Sequence, residues 1–346
     1  MGYGGHLIWT GVFRNINISE NKPVFVAGRP QLTDLLCGRL FNSKISFQTD
    51  IIFKDNPRLI FNNIYNQNSF QKLMNSIFNR LLRFNRINFL YESILFAISE
   101  IKSKYLPYHI VHVDLLIHSY VKKILPDRYI WVNNMHWIDY LTARFVVKEK
   151  EVSHPELFFH IDEKKEIKHF IIQQNFRKQF IVVEPNTKSS FFGNLRDWPM
   201  ERWQIIIERL NESFPLLDIL QVGLDNSNRL PGTIDLRGMT TFRQCVLLIK
   251  NSILFLGSEG GLTHAARSIN ADSIIIWGGI SLPDFAGYLD NQRVISKYVE
   301  CAPCGNLGWC NNDHICMKNI SVNEVWEQVN SFLLDSQVST NTVIDS

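Results

Sequence analysis

Between residues 253 and 279 the chain runs through an apolar stretch, a glycine turn, a run of small residues and a second apolar stretch, and few folds accept that order. Residues 253–256 lead into Gly257-Ser258-Glu259-Gly260-Gly261-Leu262-Thr263-His264, residues 265–269 follow as a small-residue helix, and residues 274–277 end in Gly278-Gly279. This reads as strand, turn, helix, strand. It places the turn at the carboxyl end of a parallel strand, where open α/β sheets bind ligands. Glycines there let backbone N–H groups approach a phosphate at a helix N-terminus. Glu259 adds an acceptor and His264 a potential cation. The same pattern also suits an ordinary βα turn without a ligand.

The flanking sequence extends the alternation. Residues 180–183 form a short apolar run ending at Glu184-Pro185, which predicts a buried strand. Pro199 opens a helix in which Trp203, Ile206, Ile207 and Leu210 recur at helical spacing. Strands are expected over 217–222 and 233–236. Thr241 with Gln244 three residues on forms a capping-box pattern ahead of Cys245, Leu248 and Ile249. Strands alternating with helices of this length predict a doubly wound parallel sheet.

The N-terminal half is less regular. Strands are expected over 23–28, 49–53, 109–117 and 129–132, with a helical region over 69–103. Residues 150–178 are rich in charge and carry His154, His160 and His169, so they are expected to connect two domains. An α/β domain normally opens with a strand ahead of its first glycine turn. Here Met1-Gly2-Tyr3-Gly4-Gly5-His6 is already the turn, and residues 7–16 the helix after it. Either that strand lies outside this sequence or the domain starts unusually.

A length of 346 residues favours two domains over one. Hydrophobic content of 45% against 20% charged residues excludes a disordered chain. The net charge of +3 is too mild to imply nucleic-acid binding, but suits anionic ligands near an anionic membrane surface. No apolar run approaches the roughly 20 residues of a membrane span, and the N-terminus lacks the basic and apolar regions of a signal peptide, so a cytoplasmic location is expected.

Four segments carry candidate chemistry. Thr187 and Lys188 follow a strand and Arg196 precedes the Pro199 helix; two cations, a hydroxyl and free N–H groups make a diphosphate site, or else a solvated basic loop. Cys301, Cys304, Cys310 and Cys316 place four of the six cysteines within sixteen residues, with His314 among them. They suit a zinc or iron centre, or reduced thiols packing a tight loop. His6 beside its glycine turn could be a general base or a helix cap. Residues 136–140, His-Trp-Ile-Asp-Tyr, could line a sugar pocket or belong to the core.

Taken together these blocks resemble glycosyltransferase family 9, the heptosyltransferase-like enzymes. The resemblance rests on the turn and helix at 2–16, Lys54-Asp55-Asn56-Pro57, residues 135–139, residues 184–188 with 196–203, the 258–266 loop, Gly278-Gly279 and the cysteine block to Met317. It implies an α/β GT-B fold, with two Rossmann-like doubly wound domains facing each other across a cleft. Residues 1–165 would form the acceptor-side domain, 166–335 the nucleotide-sugar domain and 336–346 a flexible tail.

The implied function is inverting transfer of heptose or a similar sugar from a nucleotide-diphosphate donor to a cell-surface glycan or lipopolysaccharide acceptor. It would use no cofactor and no catalytic metal, and would take place in the cytoplasm, with peripheral contact to the inner membrane as a further expectation. Thr187, Lys188 and Arg196 match the family's donor-phosphate positions; Glu259, Gly260, Gly261 and His264 match its second donor loop. That loop usually carries Asp where this chain has Glu259. The family's catalytic Asp is also absent from the N-terminal turn, where Gly5 and His6 stand, so His6 becomes the candidate base and Asp139 the next. A non-catalytic relative that keeps donor binding, or serves as a partner subunit, is the alternative. The cysteine block recurs among family members, which weakens its reading as a private metal site of this chain; a metal is not favoured there, with Cys301, Cys304, Cys310 and Cys316 the candidate ligands if one binds.

Overall fold

The computed structural model describes residues 7, 8, 10–12, 15, 24–27, 59–61, 109–112, 136–139, 154–185, 194–305 and 310–341. The chain divides into two compact units, one of Met1–Asn133 with Trp137–His160, the other of Asn134–His136 with Ile161–Ser346.

In the first unit, strands β1 (Val24–Ala27), β2 (Leu59–Phe61) and β3 (His109–His112) form a parallel sheet in the order β2-β1-β3. β1 and β3 coincide with expected strands, whereas β2 lies just beyond Asn56-Pro57, where no strand was expected. The expected strands at 49–53 and 129–132 and the helix within 69–103 lie outside the described residues. Leu7, Ile8 and Val12 are buried on a helical segment. Thr10 Oγ1 ties that segment down by donating to the Leu7 carbonyl at 2.6 Å and accepting from Glu156 N–H at 2.7 Å.

The second unit is built on six parallel strands: β4 (Phe180–Glu184), β5 (Asp218–Gln221), β6 (Ile234–Asp235), β7 (Leu254–Ser258), β8 (Ser273–Trp277) and β9 (Arg293–Ser296). Their order is β6-β5-β4-β7-β8-β9. β7 and β8 are buried along their whole length, as parallel strands covered on both faces must be. β9 closes one edge with Arg293 and Ser296 exposed. With only Val294 and Ile295 between polar ends, it has too short an apolar run to be read as a strand from sequence.

Helix α1 (Ile161–Gln173) occupies the stretch expected to be a charged connection. Ile167 is its one buried residue among those described. An ion pair docks it: Arg243 Nε meets Glu163 Oε1 at 2.6 Å and Nη2 meets Oε2 at 2.8 Å. A helix held by charge leaves no apolar periodicity to read. Helix α2 (Met200–Ser213) buries Trp203, Ile206, Ile207 and Leu210 as expected. Trp203 packs edge-on to Trp198 at 5.4 Å, and Trp198 Nε1 donates to the Ile320 carbonyl at 2.9 Å. Both indoles are fully buried in the core between the sheet, α2 and the C-terminal helix.

Helix α3 (Phe242–Asn251) opens on the expected capping box, with Thr241 and Gln244 each satisfying the other's backbone N–H. Helix α4 (Gly261–Ser268) begins four residues earlier than expected. Three further helices follow: α5 (Pro283–Ala286), α6 (Ile315–Lys318) and α7 (Val322–Asn341). Val325, Val329 and Leu333 of α7 enter the core at four-residue spacing. No helix among the described residues is long and apolar enough to cross a membrane.

Candidate functional site

The strand order reverses direction between β4 and β7: from β4 the chain builds outward through β5 and β6, then returns to build β7, β8 and β9 on the other side. The loops leaving the carboxyl ends of β4 and β7 therefore flank the crevice where such sheets bind ligands. Ser258 Oγ donates to the Pro185 carbonyl at 3.2 Å and stitches the two loops together.

Across the same gap Arg196 Nη2 pairs with Glu259 Oε1 at 2.9 Å. Two residues that the sequence placed in separate motifs thus meet in one ion pair. Glu259 is 3% exposed, and its other oxygen, Oε2, is sealed from solvent with no partner among the described residues. Burial raises the Glu259 carboxyl above the ordinary carboxylate range, and Arg196 opposes that shift. A buried carboxylate oxygen left unsatisfied is costly, and a ligand hydroxyl could relieve it.

His264 lies on the first turn of α4 and is buried. Burial, with Arg196 and His136 nearby, lowers its pKa to about 3, so the imidazole is neutral at physiological pH. This corrects the expectation of a cation at this position: the positive charge belongs to Arg196. His264 Nδ1 is 2.8 Å from Tyr288 Oη, and the Tyr288 ring stands 5.2 Å from that of His136. His136 is accordingly a neighbour of His264 within the second unit.

The glycines of this turn are not there for a left-handed backbone. Gly260 has φ −174° and ψ −164°, extended backbone that any residue adopts, and Gly261 is already helical. Neither needs glycine for its conformation. Thr263 Oγ1 shapes the turn instead, accepting from Gly260 N–H at 3.1 Å and donating to the Ser258 carbonyl at 3.2 Å. The turn leads into the α4 N-terminus, where unpaired N–H groups and the helix dipole favour an anion.

Glu184, at the carboxyl end of β4, is a partly buried acid that the sequence does not single out. It is half-buried as a residue, but its Oε2 is sealed and has no partner among the described residues. Burial, then the nearby Asp197 carboxylate, pushes its pKa up to about 8. Glu184 therefore stays protonated at neutral pH beside the candidate phosphate loop. Nothing in an isolated Glu-Pro dipeptide signals this.

His6, Thr187 and Lys188 lie outside the described residues, as does Tyr140. Asp139 sits with Trp137 and Ile138 in one helical turn assigned to the first unit, with Ile138 buried.

The cysteine block packs onto the turn after β8. Cys304 N–H donates to the Gly279 carbonyl at 2.9 Å and Gly305 N–H to Ile280 at 3.0 Å. A side chain at Gly278 would meet Met317 Sδ at 2.9 Å, and one at Gly279 would meet both Ala302 and Cys316 at 3.1 Å. Burial raises the Cys316 thiol, and Cys310 and Cys301 add to the shift. Yet among the described residues no three His, Cys, Asp or Glu side chains are arranged to hold a metal ion.

Comparison with known proteins agrees with this fold. No curated protein sequence matches the chain. A family 9 glycosyltransferase from Veillonella parvula superposes with a TM-score of 0.60 at 13% identity, over 97% of this chain and 95% of its own. The dodecameric iron-containing heptosyltransferase TibC, solved with ADP-D-β-D-heptose, superposes with a TM-score of 0.52 at 12% identity, over 91% of this chain and 77% of its own. Heptosyltransferase II of E. coli aligns at 21% identity and a TM-score of 0.43 over 57% of this chain, which spans 58% of that enzyme's length. The first two likenesses show a shared α/β GT-B fold. The profile of glycosyltransferase family 9 (heptosyltransferase) matches residues 138–311, half of the chain, taking in the β4 and β7 loops and most of the cysteine block. The chain belongs to glycosyltransferase family 9.

Proposed function

We propose that this protein transfers heptose or a similar sugar from a nucleotide-diphosphate donor to a cell-surface glycan or lipid-linked glycan, with inversion and without a catalytic metal. The observation that carries the reading is the meeting of Arg196, Glu259 and His264 at the β4–β7 switch point of a family 9 chain. The donor diphosphate occupies the α4 N-terminus. Arg196, with Thr187 and Lys188 from the β4 loop, neutralises charge as it builds on the departing nucleotide diphosphate. Glu259 binds a donor hydroxyl, and Gly260 and Gly261 leave room for the phosphates.

The acceptor hydroxyl attacks the anomeric carbon in line, the bond to the diphosphate oxygen breaks, and His6 takes the hydroxyl proton. The relative TibC, solved with ADP-D-β-D-heptose, makes ADP the first nucleotide to try. We place the reaction in the cytoplasm, with the acceptor presented at the inner membrane.

Two measurements test this. Calorimetric titration of ADP, UDP and GDP should find one nucleoside diphosphate that binds at the second unit. His6→Ala should then lower turnover by roughly a hundredfold to ten-thousandfold while nucleotide affinity holds, as expected for loss of a general base. Full turnover in His6→Ala would move the base to Asp139. Binding without transfer, across donor and acceptor pairs, would establish the non-catalytic alternative, which the absence of the family's Asp beside Gly5 favours.

A further inference from the structure

The loop after α5 grips α4 at three points, all on buried residues of that helix. Gln292 Nε2 donates to the Thr263 carbonyl at 2.9 Å. Tyr288 Oη meets His264 Nδ1 at 2.8 Å. Asp290 Oδ2 meets Arg267 Nη2 at 2.7 Å. Tyr288 is 2% exposed, and its own carbonyl accepts from Asn291 and Gln292 N–H, so the ring is held in a closed turn. The His264 and Tyr288 rings stand 85° apart, edge to face. None of these loop residues belongs to a motif visible in the sequence.

The His264–Tyr288 bond can be drawn in two ways, and only one leaves no orphan. If Nδ1–H donated to the phenol oxygen, the phenol's own proton would need another acceptor. Among the described residues Tyr288 Oη has no partner besides His264. A buried donor without an acceptor is strongly disfavoured. The phenol therefore donates, Nδ1 accepts, and the imidazole proton sits on Nε2.

We infer that Tyr288 is a positioning residue that fixes His264 as the Nε2–H tautomer, so that His264 offers a hydrogen bond to the donor's diphosphate and serves neither as a base nor as a cation. The diphosphate half of this rests on the donor-site reading above; the tautomer half does not.

The surroundings keep the arrangement through the working pH range. Arg196 and His136 face the imidazole and, with burial, hold it neutral. Burial keeps the phenol protonated against the pull of Arg267, with Asp290 acting in the same direction as burial. No hydrogen bond occupies Nε2 among the described residues. An anionic oxygen is the acceptor that a neutral N–H at a helix N-terminus suits best.

The test uses the full chain, uniformly labelled with nitrogen-15. Long-range proton–nitrogen NMR, with His264 assigned by its loss in His264→Gln, should show an unprotonated Nδ1 and a protonated Nε2 that do not change between about pH 5.5 and 8. In Tyr288→Phe, which removes the hydroxyl alone, the two nitrogens should shift toward a mixture of tautomers. A protonated Nδ1 in the wild type, titration near pH 6, or unchanged spectra in Tyr288→Phe would overturn the tautomer assignment. Nucleoside diphosphate titration supplies the second arm. His264→Gln, whose amide reaches the Nε2 position, should keep most of the affinity, and His264→Asn, which does not reach it, should lose about tenfold. Equal affinities for Gln and Asn variants would overturn the diphosphate contact. Absence of binding in the wild type, with the expected spectra, would overturn that contact and the donor-site reading together and leave the tautomer standing.

Discussion

Two loops leave the same edge of the six-stranded sheet, one after β7 and one after β8, and the chain treats them differently. The β8 turn is filled by the protein itself. Met317, Cys316 and Ala302 crowd Gly278 and Gly279, and the backbone of 304–305 satisfies the carbonyls of 279–280. The β7 turn holds a partly buried ion pair, a carboxylate oxygen without a partner among the described residues, and a neutral histidine. Both turns carry a pair of adjacent glycines. One spends its glycines on packing against its own chain, and the other leaves polar groups whose cost a ligand would offset. Site and scaffold are told apart by what fills the space above the turn.

The comparison breaks if glycines in the two turns respond alike. Gly261→Val should abolish nucleoside diphosphate binding in titration while the unfolding midpoint stays near that of the wild type. Gly278→Val should do the reverse, costing about 1–3 kcal/mol in chemical denaturation through overpacking against Met317, with binding retained. Normal binding by Gly261→Val would reduce the β7 turn to a connector.

Arg196→Ala should weaken nucleoside diphosphate binding about tenfold or more, in line with roughly 1.5–3 kcal/mol for a hydrogen bond to a charged group. Lys188→Ala should do the same. Equal affinity in the wild type and the double variant would remove the diphosphate from this crevice.

The buried acids of the switch point should be visible in stability against pH. Glu184 has a folded pKa of about 8 against an unfolded value near 4.5, so above pH 4.5 the folded state holds a proton that the unfolded chain has released. Its contribution is full below about pH 4.5 and is lost as the pH rises through 8. Glu184→Gln should flatten that decline in denaturation series. His264 acts at the other end. With a folded pKa of about 3 against an unfolded 6.5, it lowers stability as pH falls from about 6.5 toward 3, a limb that should survive in Glu184→Gln and vanish in His264→Gln.

The smallest effect belongs to the filled turn. Cys304→Ser and Cys310→Ser should each lower stability by about 1 kcal/mol and release no metal, because these thiols pack a loop. One equivalent of metal in protein purified without added metal, with a melting temperature lowered by chelator, would show that the β8 loop too is a ligand site.

Where apolar periodicity governs an element, the sequence alone determined it. Trp203, Ile206, Ile207 and Leu210 mark α2 because a helix must bury one stripe, and the Thr241–Gln244 box marks the start of α3 because orphan N–H groups need acceptors. The parallel sheet of the second unit and the two loops of its switch point follow from the same local rules.

Tertiary structure decided what local rules do not encode. α1 is docked by the Arg243–Glu163 ion pair, whose members lie 80 residues apart, so its sequence carries no stripe. Arg196 and Glu259 meet only because β4 and β7 are neighbours in the sheet. The same adjacency buries Glu184 and Glu259 in low-dielectric surroundings and shifts their protons, and the α5 loop brings Tyr288 to His264. A side chain's charge state and tautomer depend on what stands within a few ångströms of it. Residue types at a spacing can nominate a phosphate site, but the fold determines which groups in it carry charge and which donate a hydrogen bond.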